Sequence, residues 1–239
     1  MTRRRAQHGV SLLIVAVMTV LCALLVLAGA QIMRVSEMLA GNDSEAARAF
    51  EAAEALLRDA ELDVLGLGPQ GQACRPDPGW VGCRNPATTT TLPHSLADLD
   101  LLAQRLALRE PPCADGLCLS LGAAATAESG AGFWRNEQSL SAFVAASGGV
   151  PYGRYSGAPA VAGAGNPLLL PGTARGAWYW IEVLPYNTGA AAAGGDLAIW
   201  TPTPADPFIF RLTAVVQGRR SGVTTVLQTL LVRQILGVP

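Results

Sequence analysis

Val10-Ser-Leu-Leu-Ile-Val-Ala-Val-Met-Thr-Val-Leu-Cys-Ala-Leu-Leu-Val-Leu-Ala-Gly-Ala-Gln-Ile-Met33 holds no side chain that ionises at neutral pH apart from the Cys22 thiol. Wound as a helix at about 1.5 Å per residue, this stretch crosses the ~30 Å apolar core of a bilayer. Before it stands Met1-Thr-Arg-Arg-Arg-Ala-Gln-His-Gly9, with three adjacent Arg; after it come Arg34, Glu37, Asp43, Glu45 and Arg48, nearly balanced in charge. Cationic flanks stay on the cytoplasmic side, so the leader is expected in the cytoplasm and residues 34–239 across the membrane.

The rest of the 239-residue chain has room for one sizeable domain. Hydrophobic residues make up 50% and charged residues 15%, with the apolar excess at the N-terminus, which describes an anchored protein. The net charge of −1 gives no basic footprint for nucleic acid. All 17 basic residues are Arg, a uniformity that no physical role requires.

Cysteine usage agrees with export. Cys22 lies inside the apolar helix and reads as packing. Cys74, Cys83, Cys113 and Cys118 form an even set, and each near pair closes a small loop. Cys74 with Cys83 and Cys113 with Cys118 is the favoured connectivity of the three possible. Zinc is the competing reading, but the spacings are not C-x-x-C, and the histidines, His8 and His94, lie in the leader and in a loop. No metal or cofactor is expected.

Beyond the apolar stretch, Ala46, Ala49, Phe50, Ala53, Leu57, Ala60 and Val64 recur at helical steps, while Glu45, Arg48, Glu51, Glu54, Arg58, Asp59 and Glu61 occupy the remainder. The pattern predicts an amphipathic helix over 34–65, with a kink or short break at Gly41-Asn-Asp-Ser44. Gly66-Leu-Gly-Pro-Gln-Gly71 ends it, and a Gly/Pro/Thr-rich loop runs to Pro93. Ser95-Leu-Ala-Asp98 reads as a capping box opening a short helix through Leu99, Leu102, Leu106 and Leu108. Residues 119–176 read as irregular, with a helical turn or two over Asn136–Ala146.

The period then changes to two. Ala177–Leu184 is aromatic and β-branched, and Phe208, Phe210, Leu212, Ala214 and Val216 share one face of a second strand. Gly218-Arg-Arg-Ser-Gly222 turns the chain into Val223–Arg233, predicting an antiparallel hairpin. The amphipathic helix is the natural cover for the apolar face of this sheet.

Trp178, Tyr179, Trp180 and Trp200 read as core packing rather than a ligand platform, whereas Trp80 and Trp134 sit in loops suited to surface contact. The chain has no G-x-S-x-G, no H-E-x-x-H and no phosphate-binding glycine loop, and His94 is the lone exported histidine, so an enzyme is not expected.

The junction Arg3-Arg-Arg-Ala-Gln-His-Gly9-Val10-Ser-Leu12 lacks a small-residue cleavage site after the apolar core. It resembles the class III signal peptide of type IV pilins, whose peptidase cuts after Gly on the cytoplasmic side and whose new first residue is N-methylated. An uncut signal anchor is the alternative. The run Met38-Leu-Ala-Gly-Asn-Asp43 with Ala47-Arg-Ala-Phe-Glu-Ala-Ala-Glu-Ala-Leu-Leu-Arg-Asp-Ala-Glu61 is similar to PilX-type minor pilins. So are Phe210-Arg-Leu-Thr-Ala, Gly218-Arg-Arg-Ser-Gly222 and Val226-Leu-Gln-Thr229. The likeness is close over residues 1–65, weaker over roughly the last 35, and not visible between them.

That resemblance implies an α+β, pilin-like fold: a long N-terminal helix, transmembrane half plus amphipathic half, packed on a C-terminal antiparallel sheet. It divides the chain into a leader (1–9), a transmembrane helix (10–33), an amphipathic helix (34–65) and a periplasmic head (66–239), with Gly9 and Val10 as the processing site. Implied partners are prepilin peptidase, the inner-membrane assembly platform, the major pilin, other minor pilins and a tip adhesin. Major pilins carry Glu at the fifth mature position, and this chain has Ile14 there. That departure points to a place at or near the pilus tip, in a priming complex. A pseudopilin of a type II secretion system is the nearest alternative reading, and a membrane-tethered envelope enzyme a more distant one.

Overall fold

The computed structural model describes residues 8–75, 82–119, 133–160, 165–170, 175–186, 201–219 and 223–233. The leader residues 1–7, Trp80, Trp200 and the Ala/Gly-rich stretches at 121–131 and 189–195 lie outside them. The chain divides into two units, Met1–Glu45 and Ala46–Pro239.

Helix α1 runs from His8 to Leu65. It stays helical through Gly41-Asn-Asp-Ser44, so the predicted break does not occur. One Gly costs a helix only about 1 kcal/mol relative to Ala, and the Ala, Leu, Glu and Arg that follow restore more than that. Within the first unit α1 is long and apolar enough to cross a membrane. Every large apolar side chain from Leu12 to Leu39 is at least half exposed, Leu12 at 76% and Leu25 at 72%.

In the second unit α1 buries Ala49, Ala53, Ala60 and Val64 of the predicted stripe, but is rotated toward Ala52 and Leu56 and away from Ala46, Phe50 and Leu57. Ala49, Ala52, Ala53, Leu56, Ala60 and Val64 are buried, together with Asp59 and Asp63. Phe50 is 47% exposed, Ala46 is exposed and Leu57 is only partly covered. An Ala-rich helix offers two adjacent stripes at steps of three and four, and hydrophobicity alone favours the one with Phe50. Close approach favours the other, because small residues let a helix lie near its neighbour. Asp59, expected on the polar face, goes inward with that stripe.

Helix α2 (Leu96–Leu106) carries the predicted capping box: Ser95 accepts from the Asp98 N–H, and Asp98 accepts from the Ser95 N–H. It buries Leu102 and Leu106; Leu108 lies past its end and is 90% exposed. Two-residue strands β1 (Cys113–Ala114) and β2 (Leu117–Cys118) form a hairpin about Asp115-Gly116, both at positive φ. Helix α3 (Glu137–Ala145), capped by Asn136, forms where helical turns were expected, and the stretch read as irregular around it holds a 3₁₀ turn at Phe133–Arg135, strand β3 (Val150–Pro151) and a second 3₁₀ turn at Pro167–Leu169.

Strands β4 (Ala177–Pro185), β5 (Phe208–Gln217) and β6 (Thr224–Leu231) are the body of the sheet, antiparallel as predicted. The order is β1-β2-β4-β5-β6, with β3 also on β4. The β2–β4 pairing is parallel, so the sheet is mixed. Phe208, Phe210, Leu212, Ala214 and Val216 face the α1 stripe in the main core. The opposite face is covered as well: Trp180 and Val215 pack with Leu140, Phe143, Cys113 and Cys118. Leu56→Ala is expected to cost about 2–5 kcal/mol, and Phe50→Ala less than about 0.5 kcal/mol. Thermal melting of the detergent-solubilised chain measures both; equal losses would mean that the stripe is misassigned.

Candidate functional site

Two charge knots and two disulfides organise the head. At the first knot Arg84 donates from Nε to Asp63 Oδ1 at 2.6 Å and from Nη2 to Oδ2 at 2.7 Å. Its Nη1 reaches the Thr90 carbonyl at 2.8 Å and its Nη2 the Asp115 carbonyl at 3.1 Å. The Tyr179 hydroxyl donates to Asp63 at 3.0 Å, and the guanidinium lies 4.1 Å over the Tyr155 ring. The Asp115 carboxylate accepts both the N–H and the hydroxyl of Thr90 at 2.9 Å. Five segments therefore meet on one ion pair, which is almost wholly out of water. Burial pulls the Arg84 guanidinium down, but the charge and hydrogen bonds of Asp63 more than restore it. Burial first, and Asp63 second, hold the Tyr179 hydroxyl well above its usual range, so it remains a donor.

One turn earlier on α1, Asp59 accepts from the Gly153 N–H at 2.7 Å and from the Ser156 hydroxyl. Gly153 has φ 75°, and a Cβ there would strike the Ala158 carbonyl. Burial pushes the Asp59 carboxyl up to about 6; the two hydrogen bonds oppose this and Asp63 adds to it. At the second knot Arg233 pairs with Asp206 at 2.7 and 2.9 Å, donates to the Pro93 carbonyl at 2.6 Å and lies 4.7 Å over Phe210. Between the knots is a cavity of about 470 Å³ whose walls include Asp63, Arg84, His94, Asp206 and Arg233. Both guanidinium groups there are already neutralised by their carboxylates.

Cys74 is bonded to Cys83, and Cys113 to Cys118. The first staple precedes Arg84 directly, and the second closes the β1–β2 hairpin at directly opposed positions. Cys22 is free and exposed. Gly9 and Val10, the residues expected at a processing site, lie in the first turns of α1. Tyr179 and Trp180 are buried and Trp178 is partly so, which makes them core residues. Trp134, expected at the surface, is half-buried and packs against the second cluster, 5.3 Å from Phe133 and 6.0 Å from Trp180. An indole next to two aromatic rings gains more by covering them than by facing water. Among the described residues no three His, Cys, Asp or Glu side chains gather as a metal site would require.

Asp63, Arg84, Asp115 and Arg233 escaped the sequence reading. Two signals for them were present: Asp115-Gly116 between the cysteines is a type I′ hairpin signature, and Asp59 and Asp63 fall on the stripe of Ala52 and Leu56.

A long apolar helix that enters an α+β head stapled by disulfides is the architecture of a type IV pilin. A family model described as type IV pilus assembly protein PilX, C-terminal, matches residues 105–233, more than half of the chain. The chain belongs to this family, as a PilX-type minor pilin. The match takes in the middle stretch where the sequence shows no visible likeness. No curated protein and no solved structure matches the chain.

Asp63→Asn is expected to lower stability by about 3–5 kcal/mol, since it leaves the Arg84 charge buried and unbalanced. Asp63→Leu with Arg84→Met is expected to recover most of that loss; denaturant melts of both measure the difference. The Asp59 carboxyl binds its proton more tightly folded than unfolded. Its contribution is full below pH 4 and is lost as pH rises through 6, about 3 kcal/mol at 1.36 per unit. Asp59→Asn mimics the protonated form, so it is expected to flatten the stability profile between pH 4 and 7. An unchanged slope would show that Asp59 does not set it.

Proposed function

We propose that the chain is made as a precursor, cut by prepilin peptidase after Gly9 and methylated at Val10. Residues 10–33 then span the inner membrane, residues 34–65 continue as an amphipathic helix, and residues 66–239 fold in the periplasm. At the assembly platform the subunit joins other minor pilins in a tip or priming complex, which the major pilin extends. Its role is structural rather than catalytic.

The observation that carries this reading is the outward apolar surface of α1 from Leu12 to Leu39. Such a surface needs lipid or a bundle of similar helices. Passing from one to the other keeps it out of water, so extraction avoids the full hydrophobic penalty. Removing three Arg with the leader spares their burial in the apolar core.

The tip assignment rests on Ile14, the fifth residue counted from Val10. A carboxylate there would neutralise the N-terminal amine of a neighbouring subunit inside the bundle, and an isoleucine leaves that amine unpartnered. A subunit at the end of the filament has no neighbour above that needs such a partner. Intact mass of the membrane-extracted protein is expected to show loss of residues 1–9 and gain of one methyl group. Immunogold is expected to mark pilus ends for the natural protein and to spread along the shaft for Ile14→Glu. Uniform shaft labelling of the natural protein, or a mature chain still starting at Met1, would defeat the reading.

A further inference from the structure

We propose that the free edge of β6 is a strand-addition site, taken by an extended, uncharged segment of a neighbouring subunit in the priming complex. The idea rests on the pilus reading above and adds a surface and a mode of contact to it.

The Gly218 N–H donates to the Val223 carbonyl at 2.9 Å, on the same antiparallel register as the β5–β6 ladder. Hydrogen-bonded and non-bonded pairs alternate along such a ladder. Thr225, Leu227, Thr229 and Leu231 therefore turn their N–H and C=O groups to β5, while Thr224, Val226, Gln228 and Leu230 turn theirs away. β6 closes its end of the sheet, and no described residue bonds to those outward groups. They form a row of four donors and four acceptors that only another extended backbone matches along its length.

The side chains suit a guest rather than solvent. Residues 223–232 read Val-Thr-Thr-Val-Leu-Gln-Thr-Leu-Leu-Val, with no charge, no Pro and no Gly. Exposed edges are ordinarily blunted with Lys, Pro or bulges, because a long uncharged edge templates aggregation. Here the charges stop at Arg219 and Arg220 on one side and Arg233 on the other. Leu230 is 64% exposed on the face away from α1, while Val223, Leu227 and Leu231 pack beside the main core on the other. A guest strand with apolar residues at alternate positions covers both sets. The opposite end of the sheet offers only two-residue strands, the last closed by the Cys113–Cys118 bond. One added strand is a small interface; confinement to one membrane supplies the effective concentration that makes it sufficient.

Hydrogen exchange on the full mature chain in detergent, alone and co-purified with the other minor pilins of its host, reads the edge directly. In the chain alone the amides of Thr224, Val226, Gln228 and Leu230 are expected to exchange freely while those of Thr225, Leu227 and Thr229 are protected. In the complex the four outward amides are expected to slow by about tenfold or more. Leu230→Pro removes one outward donor without touching the β5–β6 ladder, and Leu230→Lys adds an edge charge. Both are expected to cut piliation and release the partner subunits, with Leu108→Lys as an unaffected control. Free exchange of the four amides in the complex overturns the proposal. So does protection in the chain alone, whether concentration-dependent, from a second copy, or not, from the chain itself. Full piliation by both Leu230 variants in a strain that loses pili on deletion of the gene sinks the edge alone. Piliation that survives the deletion sinks the pilus reading instead.

Discussion

The Asp63–Arg84 pair is the constraint around which the head is arranged. Its desolvation costs several kcal/mol per ion, and only complete satisfaction of both groups offsets it. Asp63 therefore fixes the rotation of α1, because its carboxylate must meet Arg84 and the Tyr179 hydroxyl together. Arg84 in turn fixes the loop after the first disulfide, and its reach to the Thr90 and Asp115 carbonyls fixes the β1–β2 hairpin beside β4. The Arg233–Asp206 pair repeats the device at a neighbouring seam, and Asp59 grips the Gly153 turn by hydrogen bonds alone. A head with so many irregular connections has few regular ladders to align its parts, and buried ion pairs supply directional registration in their place.

Helix α1 meets two environments along one continuous backbone. From Leu12 to Leu39 its apolar side chains face outward, and from Ala49 to Val64 a narrow stripe of small residues faces inward. The first half has bulky Leu, Val, Ile and Met on all sides, as expected of a surface that lipid or similar helices must cover. The second half has Ala where the sheet approaches and carboxylates where it can be gripped. The contrast agrees with membership of a family of type IV pilus assembly proteins.

The second face of the sheet shows how the irregular middle of the chain is put to use. Trp180 is enclosed by Phe133 at 5.6 Å, Phe143 at 5.1 Å and Trp134 at 6.0 Å, all of them contributed by the stretch between the two cysteine pairs and β4. The Cys113–Cys118 bond lies in the same cluster. The segments that resist reading by period are therefore not surface ornament; short helices and 3₁₀ turns use single aromatic anchors to cover a sheet.

Local periodicity made much of this legible from the sequence alone. The apolar run predicted α1, the Ser95–Asp98 spacing predicted the start of α2, and the alternation at 208–217 predicted β5 with its inward residues named correctly. Those features are set by neighbours within a few positions, where backbone geometry and side-chain period decide the outcome. The rotation of α1, the packing of Trp134 against the second cluster, the parallel β2–β4 pairing and the Asp63–Arg84 knot were decided only in three dimensions. In each of them partners distant in the chain must meet, and the free energy of a buried charge or a close helix–sheet contact depends on what arrives opposite it.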